Sequence, residues 1–292
     1  MRIALAANRA SGGGMDPEPL AAAMRAHGAE VAIFDIRELE RIPECAPERV
    51  AVASGDGTIG RVAELAGRLD VPLAVIGAGT ANDFSRVYGL PTDPIEAAVL
   101  ASTGTHERPL ELGRLADGHP FVNVASAGLA SVAGRNARPL KPRLGPLAYA
   151  VGAARAAATG RPLRSTVRAD GRTVFDGACW QLIVAVSGAF GAGSGVAEAN
   201  PDDGVLDVVI LPAGSRATLA RRAWGLRTRT IAQQRDVPHE RGRVVEVDLP
   251  PGSEINVDGE LRAGGLERVT VQARAFRLVV AAPPPRRPGR AA

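Results

Sequence analysis

The chain has 292 residues, long enough for two domains with cores of their own, and 46% of them are apolar although only 3% are aromatic, so alanine, valine and leucine must build most of the interior. Of 35 basic residues only Lys141 is a lysine, and a formal charge of +4 is too small to mark a nucleic-acid-binding protein. Cys45 and Cys179 match no metal spacing and no disulfide framework, the Met1–Ala7 start is too short for a secretory segment, and no stretch approaches the ~20 apolar residues that span a bilayer, so the expectation is a cytoplasmic protein.

Ile3–Ala7 reads as a strand, Asn8–Gly14 as a glycine-rich turn, Pro17–His27 as a helix with proline in its first turn, and Val31–Phe34 as a second strand. The apolar run Val50–Ala53 leads into Ser54-Gly55-Asp56-Gly57-Thr58, and Val71–Ile76 leads into Gly77-Ala78-Gly79-Thr80-Ala81-Asn82-Asp83. Between these loops Ile59, Val62, Ala66 and Leu69 recur at helical spacing, which gives one strand–loop–helix–strand–loop–helix pass. A helix over Pro94–Ser102 and strands around Glu107–Arg114 and Phe121–Ala125 complete a doubly wound α/β pattern.

The second half changes character. After an alanine-rich helix near Gly145–Ala158 come strand candidates at Ser165–Ala169, Trp180–Ser187, Val205–Leu211, Arg243–Leu249, Glu254–Val257 and Arg274–Ala281. Asp170-Gly171, Asp203-Gly204 and Asp258-Gly259 are β-turn dipeptides. The expected organisation is an α/β domain over 1–125, a β-rich sandwich domain over 126–282 and a basic, proline-rich, disordered tail over 283–292.

In an open parallel sheet both glycine loops emerge at the carboxyl ends of their strands, where ligands bind. Glycines there let backbone N–H groups close on an anion, and a following helix adds its positive end. Each loop also carries a carboxylate, Asp56 or Asp83, that would repel a bare phosphate. A phosphate and a carboxylate in one pocket imply a magnesium ion or its water shell between them. Gly77-x-Gly79-x-x-Asn82 fails the dinucleotide fingerprint at its third glycine, and no GxxxxGK[ST] occurs. One such loop could be a purely structural turn; two, both with Gly, Thr and Asp and one βα unit apart, favour a binding site.

These residues carry a specific resemblance. SGDGTIGRV resembles the GGDGT(L/I)NEV signature of the diacylglycerol kinase catalytic domain, and GAGTANDFSRV resembles its GTxNDFAR partner. Asn8-Arg9-Ala10-Ser11-Gly12 is similar to the family's NPxSG turn, and Leu140–Tyr149 to its K-x-x-LG-x-x-x-Y segment. Asn200–Val208 is similar to its DDGxLDV stretch, and Asp258-Gly259-Glu260 matches its late DGE. The resemblance implies a NAD kinase/diacylglycerol kinase-like fold and an ATP- and Mg2+-dependent lipid kinase acting on an amphipathic lipid such as diacylglycerol. It implies an ATP site along Asn8, Ser11, Gly12, Gly55, Asp56, Gly57, Thr58, Gly79, Thr80, Asn82 and Asp83. Asp56 would orient the phosphates through magnesium and water, and Glu260 would be the general base. A structural magnesium would sit on Asp203 and the backbone oxygens of Asn200 and Val205.

Ser54 stands where the signature has its first glycine, a place it can hold only with negative φ. Gly60-Arg61 replaces Asn-Glu, and Arg9 replaces proline. Two other readings stay open: a NAD kinase-like enzyme, against which GTANDF and the late DGE argue, and a decayed nucleotide- or lipid-binding module. Asp258-Gly259 alone also reads as a plain type I′ hairpin. Between Ser215 and Arg235, Arg216, Arg221, Arg222, Arg227, Arg229 and Arg235 surround Trp224 with no acidic residue before Asp236. Such a segment is either a peripheral contact for an anionic membrane or a solvated helix packed on the sandwich.

Overall fold

The computed structural model describes residues 1–8, 15–140, 145, 147–190, 194–196 and 199–282. Its first unit runs β1 (Arg2–Ala7), α1 (Glu18–Ala26), β2 (Glu30–Asp35), β3 (Arg49–Ser54), α2 (Asp56–Arg68), β4 (Leu73–Gly77), α3 (Asp83–Val87), α4 (Pro94–Thr103) and β5 (His106–Arg114). The parallel order is β4-β3-β1-β2. Its central strands are buried on both faces, as βαβ crossovers require. Ile3, Leu5 and Ala7 point to α1 and α4, while Ala4 and Ala6 point to α2, which supplies Ile59, Val62 and Ala66. Small side chains let the helices lie close to the sheet. Gly60 is one place of close approach: a Cβ there would stand 2.6 Å from the Pro120 carbonyl oxygen. That contact is a physical reason for glycine at this departure from the signature.

The second unit follows with β6 (Pro120–Phe121), β7 (Val124–Gly128), α5 (Leu129–Ala137), α6 (Leu147–Thr159), β8 (Leu163–Ala169), β9 (Arg172–Ala185), β10 (Ala189–Phe190), β11 (Ser194–Gly195), β12 (Leu206–Pro212), α7 (Arg216–Arg227), β13 (His239–Gly242), β14 (Val244–Asp248), β15 (Glu254–Val257), β16 (Glu260–Ala263) and β17 (Arg268–Val280). β9 is the pivot. Its first half pairs with β8 and its second with both β7 and β12, all antiparallel. Leu182, Val184, Val208, Ile210 and Val245 fill the interior of the sandwich. Ile183, Val209 and Leu211, from the opposite faces of β9 and β12, pack with Leu219 and Leu226 of α7.

Several features differ from the sequence reading. The expected strand Phe121–Ala125 is broken into β6 and β7, α5, β10, β11, β13 and β16 are additional elements, β9 begins at Arg172 rather than Trp180, and β17 at Arg268 rather than Arg274. The units are also joined by more than a linker. β17 pairs with β14 through Val269 and Thr270, then with β5 through Phe276–Val280, and meets β4 at Leu278. Phe276, Leu278 and Val279 thereby enter the core of the first unit.

Candidate active site

The carboxyl ends of β1, β3 and β4 lie side by side, because Ala7 pairs with Ala53 and Ser54 with Gly77. They bring Asn8, the Gly55–Thr58 loop and the Gly79–Asp83 loop to one edge. Asn8 donates its N–H to the Ala53 carbonyl at 3.0 Å, while Ser11 and Gly12 lie outside the described residues. Gly55 caps α2 with extended backbone (φ −80°, ψ 173°), and Ser54 is not among the residues with positive φ. The condition for serine at that position is therefore met. The loops touch through glycine: a Cβ on Gly79 would lie 2.7 Å from Gly55 Cα. Asn82 adopts φ 47° and accepts the Gly79 N–H at 2.7 Å, so its amide shapes the second loop from inside.

Asp56 ties the loops together. Its Oδ1 accepts the Phe84 N–H at 2.9 Å and its Oδ2 the Asp83 N–H at 3.0 Å, capping α3 from another helix. Burial raises the Asp56 carboxyl above its ordinary range, against the pull of those two N–H groups. Asp83 is buried and paired with Arg86 at 2.6 Å. Thr58 is buried in the first turn of α2, and Thr80 is exposed at the loop tip.

Glu260 comes from the far end of the sequence to the same place. It opens β16 just after the Asp258-Gly259 turn and lies against Gly57, where a Cβ would stand only 2.5 Å from Glu260 Cδ. A carboxylate exposed to solvent thus covers the first turn of α2. The residue that sequence reasoning missed is Asp258. Its carboxylate is buried and accepts N–H groups from Val122 (2.8 Å), Asn123 (2.9 Å) and Val124 (3.0 Å). Burial pushes it up to about 7 even so. The turn dipeptide was the only signal in the sequence, and it names the turn without naming the partner.

Asn200, Asp203 and Val205 stand elsewhere, against β5. There Glu111 donates its N–H to the Pro201 carbonyl at 3.1 Å, and its buried carboxylate accepts the Gly204 N–H. Asp203 accepts the Val205 N–H at 3.2 Å and pairs with Arg241, which also approaches Asp207 at 3.5 Å. His239 bonds Asp207 at 2.7 Å. Even so, Glu111 Oε2 and Asp207 Oδ2 are buried with no partner among the described residues. Burial, reinforced by Asp203 and Asp202, pushes Glu111 up to about 7. Among the described residues no three His, Cys, Asp or Glu side chains form a metal-binding group. The surplus of buried negative charge at this turn nevertheless suits a hard cation held by one carboxylate and backbone oxygens.

An apolar cavity of about 200 Å³ lies between α5, α6, α7 and the sheet, with walls of Leu129, Ala133, Ala156, Leu211 and Leu226. Gln181 and Ser194 are its polar members. It adjoins the carboxyl end of β7, whose amino end carries the Asp258 contact.

Two family models divide the chain between them. The diacylglycerol kinase catalytic domain matches residues 2–115, and the YegS C-terminal NAD kinase beta sandwich-like domain matches 123–280. The chain belongs to the diacylglycerol kinase catalytic-domain family. A Pseudomonas aeruginosa protein named probable lipid kinase YegS-like is 33% identical over 281 residues, 88% of this chain and 87% of that one. The diacylglycerol kinase of Bacillus subtilis is 31% identical over 216 residues, 72% of this chain and 70% of that one. In fold, the chain is similar to a diacylglycerol kinase crystal structure from Bacillus anthracis (TM-score 0.76, 19% identity, covering 96% and 97% of the two chains). An NAD kinase from Archaeoglobus fulgidus solved with ATP shares the architecture more loosely (TM-score 0.52, 14% identity, 96% and 93%). Within this lipid kinase-like family the chain has the expected α/β unit and β-rich unit. No helix of the described residues is long and apolar enough to cross a membrane.

Proposed function

We propose that the protein is an ATP-dependent lipid kinase whose acceptor is the hydroxyl of diacylglycerol or a close amphipathic relative, with phosphatidic acid as the diacylglycerol product. The observation that carries this reading is the position of Glu260 against Gly57, a carboxylate facing the glycine edge where a nucleotide phosphate would lie. ATP would lie along Asn8, Gly55–Thr58, Gly79 and Thr80, with backbone N–H groups toward the phosphates. Asp56 would orient the phosphates through magnesium and its water, with Asp83 supporting that network; the ion when bound offsets phosphate charge. A structural ion would take Asp203 and the carbonyls of Asn200 and Val205. Glu260 would accept the proton of the lipid hydroxyl as that oxygen bonds to the γ-phosphorus, while the bond from phosphorus to the β–γ bridging oxygen breaks and ADP leaves.

The apolar cavity supports a lipid acceptor. Its volume is below the ~300–1,000 Å³ of sites that enclose a whole small molecule, so it suits a stretch of acyl chain. The surface around it bears on the membrane contact expected from the sequence. Arg216 stacks on Trp180 at 4.6 Å and bonds the Gly160 carbonyl, and Arg221 and Arg222 both pair with Asp236. These arginines hold α7 to the protein, which leaves the contact to exposed Trp224 and Val151 with Arg229 and Arg235.

Labelled ATP and magnesium, offered with fractionated lipids and separately with NAD, test the reading. Label should enter diacylglycerol and not NAD; label in NAD alone, or in neither, would overturn it. In vesicle sedimentation, Trp224→Ala should weaken binding to anionic vesicles, and equal binding to neutral vesicles would exclude the electrostatic part.

A further inference from the structure

The break in the expected strand Phe121–Ala125 has a specific cause. Val122, Asn123 and Val124 turn three successive N–H groups onto one carboxylate, Asp258, with Oδ2 taking the first and Oδ1 the other two. Consecutive N–H groups of this kind form a concave anion site, and here the chain fills it with its own side chain. Asp258 returns its N–H to the Val124 carbonyl at 3.0 Å, closing the contact in both directions. The turn that presents the carboxylate is also tightly set. Asp258 and Gly259 have φ of 46° and 89°, and the Gly259 N–H bonds the Asn256 side chain at 3.1 Å. The clasped segment is held on its other side too, because Asn123 accepts from Ser187 Oγ at 2.6 Å and from the Val186 N–H at 2.9 Å.

Glu260 is only two residues beyond this clasp, and its carboxyl lies over Gly57 across the junction of the two units. We infer that Asp258 is a positioning residue: by gripping residues 122–124 it fixes the β15–β16 turn so that Glu260 stands over the first turn of α2. Asp258 itself touches no reacting atom, and this role rests on the kinase reading above. The pair Asp258 and Glu260 therefore divides one task, with the first carboxylate committed to backbone and the second left open to solvent.

Asp258→Asn tests this directly. The amide oxygen can keep the Asn123 and Val124 bonds, but its NH2 then faces the Val122 N–H, donor against donor. Turnover should fall about a hundredfold, the scale of a 1 Å misplacement, with KM for ATP within about twofold of wild type. The double variant Asp258→Asn/Glu260→Gln should be no slower than Glu260→Gln alone, since a misplaced base and an absent one are equivalent. Fully multiplicative losses would overturn the inference, as would unchanged turnover. Hydrogen exchange on the wild-type protein gives a readout independent of activity: the 122–124 amides should be as protected as the core of β9, and fast exchange there would refute the clasp even if the variant does not fold. An inactive wild-type enzyme with protected amides would instead sink the kinase reading and leave the clasp standing.

Discussion

At the glycine-loop edge Asp56 and Asp258 commit both oxygens to backbone N–H groups, whereas beside β5 Glu111 and Asp207 each keep a buried oxygen without a partner among the described residues. Both places are acidic and partly buried, but they are neutralised differently. N–H groups on a folded backbone can neither titrate nor diffuse away, so at this edge the carboxylates are held in place by the chain itself. At the turn, Arg241 and His239 face three carboxylates, Glu111, Asp203 and Asp207, and the balance of charge is left to what solvent supplies. Tyr88, just past α3, links the two places: its ring lies 5.7 Å from the Arg108 guanidinium, which pairs with Asp202.

That contrast can be broken at several points. The largest effect is expected at Asp56→Ala, which removes both caps from α3 and the carboxylate between the loops; phosphoryl transfer should fall to background while the circular dichroism spectrum stays native. Retained transfer would show that the loops do not depend on this side chain. Glu260→Gln should lower turnover by about 10²–10⁴-fold, the worth of a general base, with ATP affinity by calorimetry unchanged. Equal loss of affinity would mean that the residue serves binding instead.

Without nucleotide, the turn should answer to ions as the glycine-loop edge does not. Magnesium titrated into the nucleotide-free protein should raise its melting temperature by about 2–4 °C for each kcal/mol of binding. Glu111→Gln should stabilise the metal-free protein by removing surplus buried charge and should blunt that response. A variant with an undiminished magnesium shift would place the ion elsewhere. The smallest signal is a pH slope. Asp258 binds its proton at about 7 in the fold against an ordinary 3.8, so its contribution to stability falls as pH rises from about 4 to about 7. Asp258→Asn should flatten that part of the stability curve in urea denaturation, and an unchanged slope would place Asp258 in its ordinary range.

The parallel strands and both glycine loops were legible because each is a local pattern: an apolar run, a turn, then helical spacing. Glu260 was legible only through its motif, since nothing local in Val257-Asp258-Gly259-Glu260 separates it from an ordinary hairpin. The contacts of Asp258 and Glu111 were not legible. Their partners lie 136 residues away at Val122 and 93 away at Gly204, and such pairings exist only once the sheet register is set. The basic segment around α7 was legible as a composition but not residue by residue. Its composition reads as a charged surface, yet Arg222 is 4% exposed and bonded to Asp236, which lies just past the segment.

β17 bears on how the protein is made. Residues 276–280 complete a core whose other strands all lie before residue 115. During synthesis that early unit must wait for the whole sandwich to leave the ribosome before its own interior can close. Until then Leu73 and Leu110 lack the neighbours Leu278 and Phe276, and the nascent α/β unit has an open apolar edge. The order in which the two halves are translated is therefore not the order in which they can finish folding, and the glycine-loop edge receives Glu260 only after the preceding strands of both units have been made.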